Sequence, residues 1–460
     1  MSELMPARRL LAALLILGCF IFVDQRQTFA QDATSAADET LLDEISRAAF
    51  LYFIREADPD SGLVRDKTGV EYCSVASVGF GLAAMPIAAE RGWIDRSDAE
   101  ARTLRALRSL ARSSAHHHGV FCHYIDLHTG QPTRRGYEQV ASTIDTALLM
   151  AGVITAGQYF SGESKTIADE LFGRINWRRF LDTDAGQVYM AWQPERFDRM
   201  SGPGQFKKAT WNWYTDETLL ICLLGLAAPN DQYRLSADCM TKWKRPKGRY
   251  GDGEQFIYTW PGTFFAYTFA HCFYDFRLMG KGAGGVDWFE NTRRAAAANR
   301  DWCRDNATRF GTYGPDRWGI TACGGPGNRY VVPGHQPRGA RGDAPAGGTL
   351  APYGAAMALP FLAEDAMAAL RHMRSLEVDG RSIWRDPEQG GYGLPDAFNI
   401  DENWVSDRTF GIAHGPMLIM IENARSGLIW KSFMSNEHIR SGIRRAGFDG
   451  NLDSQRWQAD

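Results

Sequence analysis

Residues Thr143–Phe160, TIDTALLMAGVITAGQYF, are apolar on almost every side of a helical wheel. A helix with no wet face, in a chain of otherwise globular composition, must be covered by other elements all round. The segment that follows, Lys165–Phe180 (KTIADELFGRINWRRF), keeps the i, i+3, i+4 apolar spacing of a helix with one wet side. The same alternation runs through the chain. Wet helices are predicted over Leu41–Glu56, Ser97–Arg112, Lys165–Phe180, Asp231–Trp243, Asp287–Cys303 and Glu364–Leu376. Dry ones are predicted over Ser77–Ala89, Thr143–Phe160, Glu217–Ala228, Thr263–Phe276, Thr349–Phe361 and Gly415–Asn423. Six of each predict an all-α fold, an (α/α)6 barrel with six inner helices inside six outer ones and strands confined to connections.

If each inner helix is returned by an outer one, all inner helices run parallel and their N-termini share one face. Asp145 opens the second, Asp216-Glu217 the third, Thr263 and Thr349 the fourth and fifth, and His414-Gly415-Pro416 the sixth. Asp, Glu and Thr are also ordinary caps that complement the helix dipole. Capping explains less well a carboxylate ahead of a helix that has no other polar face. Long connections load the same face, above all the aperiodic Gly325–Gly348, GPGNRYVVPGHQPRGARGDAPAGG. A loop of that length in a compact domain is a lid or binding loop, or else disordered.

Within the 460 residues, 44% are hydrophobic and the net charge is −3, with no basic run, which weighs against nucleic acid as the main partner. The N-terminus reads as a signal peptide over residues 1–30. Arg8 and Arg9 precede an apolar run from Leu10 to Val23, too short to span a bilayer, and a small-residue stop follows at Ala30. A lipoprotein site at Gly18-Cys19 and a twin-arginine route stay open. The expected mature protein is soluble and periplasmic or secreted, with a linker over residues 31–40, a catalytic domain over residues 41–434 and a peripheral polar tail over residues 435–460. Seven cysteines remain beyond Cys19, an odd number at irregular spacing, so most are read as buried apolar residues, with one or two bridges possible.

The strongest chemical signal is Trp211-Asn212-Trp213-Tyr214-Thr215-Asp216-Glu217. Three aromatics directly before two acids, at the mouth of a dry helix, suit sugar stacking beside a general acid whose proton an apolar lining would hold. A capped helix with packed aromatics is the plainer alternative. A second cluster is Glu138, Ser142, Thr143 and Asp145, for which capping is an equal reading. A third runs from Asp396 through Asn399, Asp401 and Glu402 to Trp404 in a Gly-rich loop. The histidines at 116, 117, 118, 123 and 128 match no HExxH or HxH pattern on a defined helix, so no metal and no other cofactor is expected. No GxSxG, P-loop or dinucleotide fingerprint is present.

With these residues in view, the chain resembles the glucoamylase-like family that includes bacterial endo-β-1,2-glucanases. The likeness is carried by Leu41–Asp66, Ser74–Ile94, Ser142–Phe160, Phe265–Arg277 (FAYTFAHCFYDFR), Tyr313–Cys323 (YGPDRWGITAC) and Gly415–Trp430, in the family's order. The resemblance implies an (α/α)6 barrel and inverting, metal-free hydrolysis of a glucan, with β-1,2-glucan foremost. It places Glu217 as general acid and Asp396, acting directly or through a relayed water, as base. Glu138, Asp145, Trp211, Trp213, Tyr214, Asp216, His271, Trp318, Trp404 and His414 are the substrate-binding candidates. Relatives tend to carry Asp-Gly-Pro and Asp-Gln-Gly-Pro where this chain has Gly324-Gly325-Pro326 and Ala413-His414-Gly415-Pro416. Loss of two carboxylates leaves open another linkage, transglycosylation, or a catalytically silent glycan-binding protein.

Overall fold

A computed structural model describes residues 35–136, 138–340, 347–450 and 452. The leader, residues 1–30, lies outside the described residues. Thirteen α-helices occur among them: α1 Ala36–Arg55, α2 Val75–Glu90, α3 Arg96–Arg112, α4 Thr143–Phe160, α5 Gly162–Gly173, α6 Asp216–Ala227, α7 Phe276–Met279, α8 Trp288–Asp305, α9 Pro352–Met357, α10 Ala363–Arg374, α11 Gly411–Arg425, α12 Leu428–Met434 and α13 Glu437–Arg445. The described strands are short and pair antiparallel within connections.

The dry pattern locates the interior. α2 is buried from Val75 to Ala88, and α4 and α6 are buried along nearly their whole lengths. α3, α8 and α10 bury one face only, as their spacing demands. Ser74, Ser142 and Thr215 cap α2, α4 and α6, each accepting an amide from the first turn. α2 packs on α4 at very short range because glycines meet there. A Cβ on Gly152 would fall 1.8 Å from the carbonyl oxygen of Gly79.

Several predicted helices differ, each for a tertiary reason. Thr263–Phe276 is not one helix. It is a 3-10 turn, Phe264–Tyr267, followed by irregular turns and then α7. The amides of Ala270 and His271 donate to Oδ2 of Asp216 at 3.0 and 3.2 Å, which takes them out of the helical ladder. Asp231–Trp243 holds only the 3-10 turn Ala237–Met240, with the Leu235 amide bound to the Gly225 carbonyl of α6. In Thr349–Phe361, Leu350 pairs with Phe398 in both directions, so α9 starts only at Pro352. α5 stops at Gly173, short of the predicted Phe180, with a 3-10 turn over Trp177–Phe180. The tail after Ser435 is not peripheral throughout. α13 packs on α6, burying Ile439, Gly442 and Ile443. All seven cysteines from Cys73 to Cys323 are free and buried.

The glycine contact yields a stability test. Gly152→Ala should lower unfolding free energy by about 3 kcal/mol in urea titration, because neither backbone can retreat in a packed core. Gly173→Ala, with nothing within 4 Å of its Cβ position, should be neutral.

Candidate active site

The N-terminal turns of α4 and α6, with parts of α9, α11 and the Phe264–Tyr267 turn, meet around a cavity of about 80 Å³. Asp145, Glu217, Phe265, Phe269, Tyr330 and Tyr353 line it, together with aliphatic side chains. Thr215 caps α6 and so places Asp216 and Glu217 in the same first turn. Consecutive helical residues point roughly 100° apart. Asp216 therefore turns into the core, and Glu217 turns into the cavity.

The electrostatics follow from burial and from neighbouring charges. Burial pushes the Glu217 carboxyl up to about 8, and the nearby charges of Asp145 and Asp216 push it the same way. Burial also carries Asp396 up to about 7, against the opposing pull of the Gly324 amide, which donates to its Oδ2 at 2.7 Å, and of Lys67. Asp66 is raised by burial as well, although the Ser74 hydroxyl, Lys67 and His123 pull it down. Asp145 accepts a 2.5 Å bond from the Ser142 hydroxyl and lies 3.5 Å from Nε2 of His123. The His123 ring stacks on Tyr124 at 3.9 Å.

Tyr330 links Glu217 and Asp396. It lies on the hairpin Cys323–Gly325/Arg329–Val331, directly across from Gly324, the residue whose amide holds Asp396. It also lines the cavity beside Glu217. At position 324 a Cβ would come to 3.0 Å from the Asp396 carboxylate. An acidic side chain there would crowd Asp396, so in this chain the place beside the 324 amide belongs to Asp396. Ala413 is buried in α11.

The remaining sequence candidates divide into cleft and core. Glu138 is exposed and lines no part of the cavity. Trp211 is buried, its Nε1 donating to the Thr143 hydroxyl at 3.0 Å, and it anchors the aromatic segment to α4. Tyr214 is fully buried and stacked on Trp288 at 4.7 Å, so it belongs to the core and not to the cleft. The same correction holds for Asp216 and His271, which pair at 2.7 Å from Oδ2 to Nδ1 with no exposure. Trp318 is wholly buried. His414 is buried, with Nε2 3.3 Å from the Tyr392 carbonyl, and burial pushes its pKa down to about 4. Trp404, half-buried, sits in the pair Phe398–Asn399/Trp404–Val405. Trp213 is half-buried and meets the exposed Trp260 edge to face at 5.2 Å.

Sequence reading singled out His123 only as one of five clustered histidines, and it missed Asp66, Lys67, Tyr330 and Trp260. Asp66-Lys67 looks like any polar turn after an apolar pair, and Tyr330 like one residue of an aperiodic loop. Nothing local distinguishes them. Among the described residues, no group of three or more His, Cys, Asp or Glu side chains could hold a metal ion. His117 instead stacks on Trp192 at 3.6 Å, with Nδ1 at 2.8 Å from the Met200 carbonyl.

Comparison with known proteins adds the lineage. A family model of proteins of unknown function matches residues 44–151. A curated relative, the exo-β-1,2-glucooligosaccharide sophorohydrolase (non-reducing end) of Parabacteroides distasonis, is 28% identical. That alignment covers 91% of this chain but only 59% of the relative, so the chain spans less than two thirds of its length. The crystal structure of a β-1,2-glucanase from Parabacteroides distasonis superposes with a TM-score of 0.76 at 25% identity, over 90% of this chain and 60% of that one. An endo-β-1,2-glucanase from Chitinophaga pinensis, in complex with sophorotriose and glucose, shares the fold with a TM-score of 0.78 at 23% identity, over 91% and 100% of the two chains. The Glycoamylase family model, of the glucoamylase type, matches residues 208–437, the half of the chain that holds Glu217, Tyr330 and Asp396, and the chain belongs to that family.

Proposed function

We propose that the chain is a glycoside hydrolase of β-1,2-linked glucan, built on an (α/α)6 barrel, with Glu217 as general acid and Asp396 as general base. The observation that carries this reading is the Cys323–Val331 hairpin. Its Gly324 amide holds Asp396, while Tyr330 across the strand pair roofs the cavity into which Glu217 opens. One element thus touches Asp396 through its first strand and the Glu217 cavity through its second. The β-1,2 linkage rests on the activities named for the Parabacteroides distasonis relative and the Parabacteroides distasonis crystal structure.

Support for the barrel comes from the order of packing. α9, α11, α2, α4 and α6 touch in succession, and the Phe264–Tyr267 turn packs on α6. The Thr268 hydroxyl then meets Sδ of Met357 in α9 at 3.2 Å. An export leader over residues 1–30 would place the reaction outside the cytoplasm. No helix of the described residues is long and apolar enough to cross a membrane.

The chemistry follows from the two raised carboxyls. Glu217 keeps its proton near neutrality and gives it to the glycosidic oxygen as the bond to the anomeric carbon breaks. Asp396, once ionised, takes a proton from a water that bonds to that carbon from the opposite face, directly or through a second water. The sugar leaves with inverted configuration. Glu217 then regains a proton from solvent, and Asp396 returns one to it.

Purified protein incubated with linear β-1,2-glucan should release new reducing ends, and Glu217→Gln should slow turnover by about 100-fold or more. Equal turnover by the variant would sink the acid assignment. kcat/KM should trace a narrow bell. Its acid limb rises as Asp396 loses its proton through about 7, and its alkaline limb falls as Glu217 loses its own through about 8. A profile flat across this window would contradict the pairing.

Both groups have folded pKa values raised above their unfolded ones. Their contribution to stability is full at low pH and is lost as pH rises through about 7 and about 8. Glu217→Gln should therefore melt at least about 2 °C above the wild type near pH 9, with the gap closing near pH 4. Calorimetric Tm values at the two pH values check this.

A further inference from the structure

The large hydrophobic side chains that stand exposed among the described residues are Trp260, Tyr330 and Val332, at 50%, 56% and 44% exposure. Exposed apolar residues scattered singly need no explanation. These three are connected. Tyr330 lies in the second strand of the Cys323–Val331 hairpin and Val332 just beyond it, and the segment that follows runs to the Thr259–Gly262 stretch that carries Trp260. It is pinned along the way, the His335 amide donating to the Gly262 carbonyl at 3.0 Å, that of Gly339 to Thr259 at 3.1 Å and that of Ala340 to Trp260 at 2.9 Å.

At its far end the strap braces an aromatic platform. A Cβ on Gly339 would stand 2.7 Å from both the Trp213 and Trp260 rings, so only glycine lets the backbone lie against the two indoles. Trp213 meets Trp260 at 5.2 Å and Tyr258 at 6.1 Å, and the Lys244 ammonium lies 5.6 Å from its ring centre. Trp213 is itself bound to the site. Its carbonyl accepts from the Thr218 hydroxyl at 2.8 Å in the first turn of α6, beside Glu217. Three residues, Tyr214, Thr215 and Asp216, separate Trp213 from Glu217, so at most about 14 Å of extended chain lies between them. The platform is therefore tethered by backbone within a short span of Glu217.

We propose that Trp260, braced by Trp213 and the strap, forms a distal subsite on which a glucan chain leaving the Glu217 cavity stacks a sugar ring. This rests on the glucan hydrolase reading above. An indole held by backbone on one side and half open on the other loses little conformational freedom when a flat apolar sugar face covers it. The adjoining Lys244 supplies a donor for ring hydroxyls. The occupant is a neutral oligosaccharide, which needs no complementary charge from the site.

The test compares substrates by length. kcat/KM is measured for β-1,2-glucan oligosaccharides of increasing size and for the polymer, with wild type, Trp260→Ala and Trp260→Phe. The ratio of long-chain to shortest-substrate kcat/KM should fall about tenfold in Trp260→Ala, a loss typical of one stacking contact, and should be largely restored in Trp260→Phe. A loss equal at every length, or none, would overturn the subsite. Titration calorimetry of Glu217→Gln with β-1,2-glucan, alone and combined with Trp260→Ala, separates the two readings. An approximately tenfold weaker Kd in the double variant supports the subsite even if wild type cleaves nothing, an outcome that removes only the hydrolase reading. Equal Kd values with an active wild type remove only the subsite.

Discussion

The Asp216 carboxylate is the contact on which the rest of the site is built. It sits without exposure in the first turn of α6 and accepts from the amides of Ala270 and His271 and from Nδ1 of His271. The Tyr214 hydroxyl approaches the same carboxylate at 3.3 Å. A buried charge of this kind is tolerated only when its lone pairs are filled, and removing one partner of such a pair costs roughly 3–5 kcal/mol. The consequence reaches beyond α6. By drawing two backbone amides to itself, Asp216 interrupts the helix that an apolar segment would otherwise form after Thr263. Phe265 and Phe269 then fall against the cavity as a wall beside Glu217.

Asp216 and Glu217 thereby divide two tasks between adjacent residues. One is fully satisfied and serves the fold. The other is left in a dry pocket with few partners, so its proton stays bound to about 8. Asp396 repeats the second arrangement from a different loop, with one backbone amide from Gly324 as its main support. Raised carboxyls are destabilising once pH passes their folded values. The glycine-tight contact of α2 with α4 and the broad buried core bear that cost.

The strap after Cys323 joins these parts. It holds Asp396 at one end, covers the cavity with Tyr330, and braces Trp213 and Trp260 at the other end. It also sets a constraint on position 324. A Cβ at that position would stand 3.0 Å from the Asp396 carboxylate.

Helix type and position were legible from local periodicity for α2, α3, α4, α6 and α8, but not over Thr263–Phe276 or Asp231–Trp243, where tertiary hydrogen bonds take the backbone out of the helix. α4 spans Thr143–Phe160 as its apolar circumference requires, and Glu217 was readable as an acid at the mouth of a dry helix because Thr215 caps it in sequence. The family likeness was legible for the same reason, since it resides in ordered stretches of sequence. What lay beyond the sequence depends on groups brought together from distant positions. Asp216 and His271 look like cleft residues on paper and become a core pair only when α6 meets the segment after Thr263. Asp66, His123 and Tyr330 join Glu217 and Asp396 only through packing. Periodicity is set by neighbours three and four residues away, so the chain alone determines which faces are dry. A carboxyl's proton affinity is set by whatever surrounds it in space, and that only the tertiary structure decides.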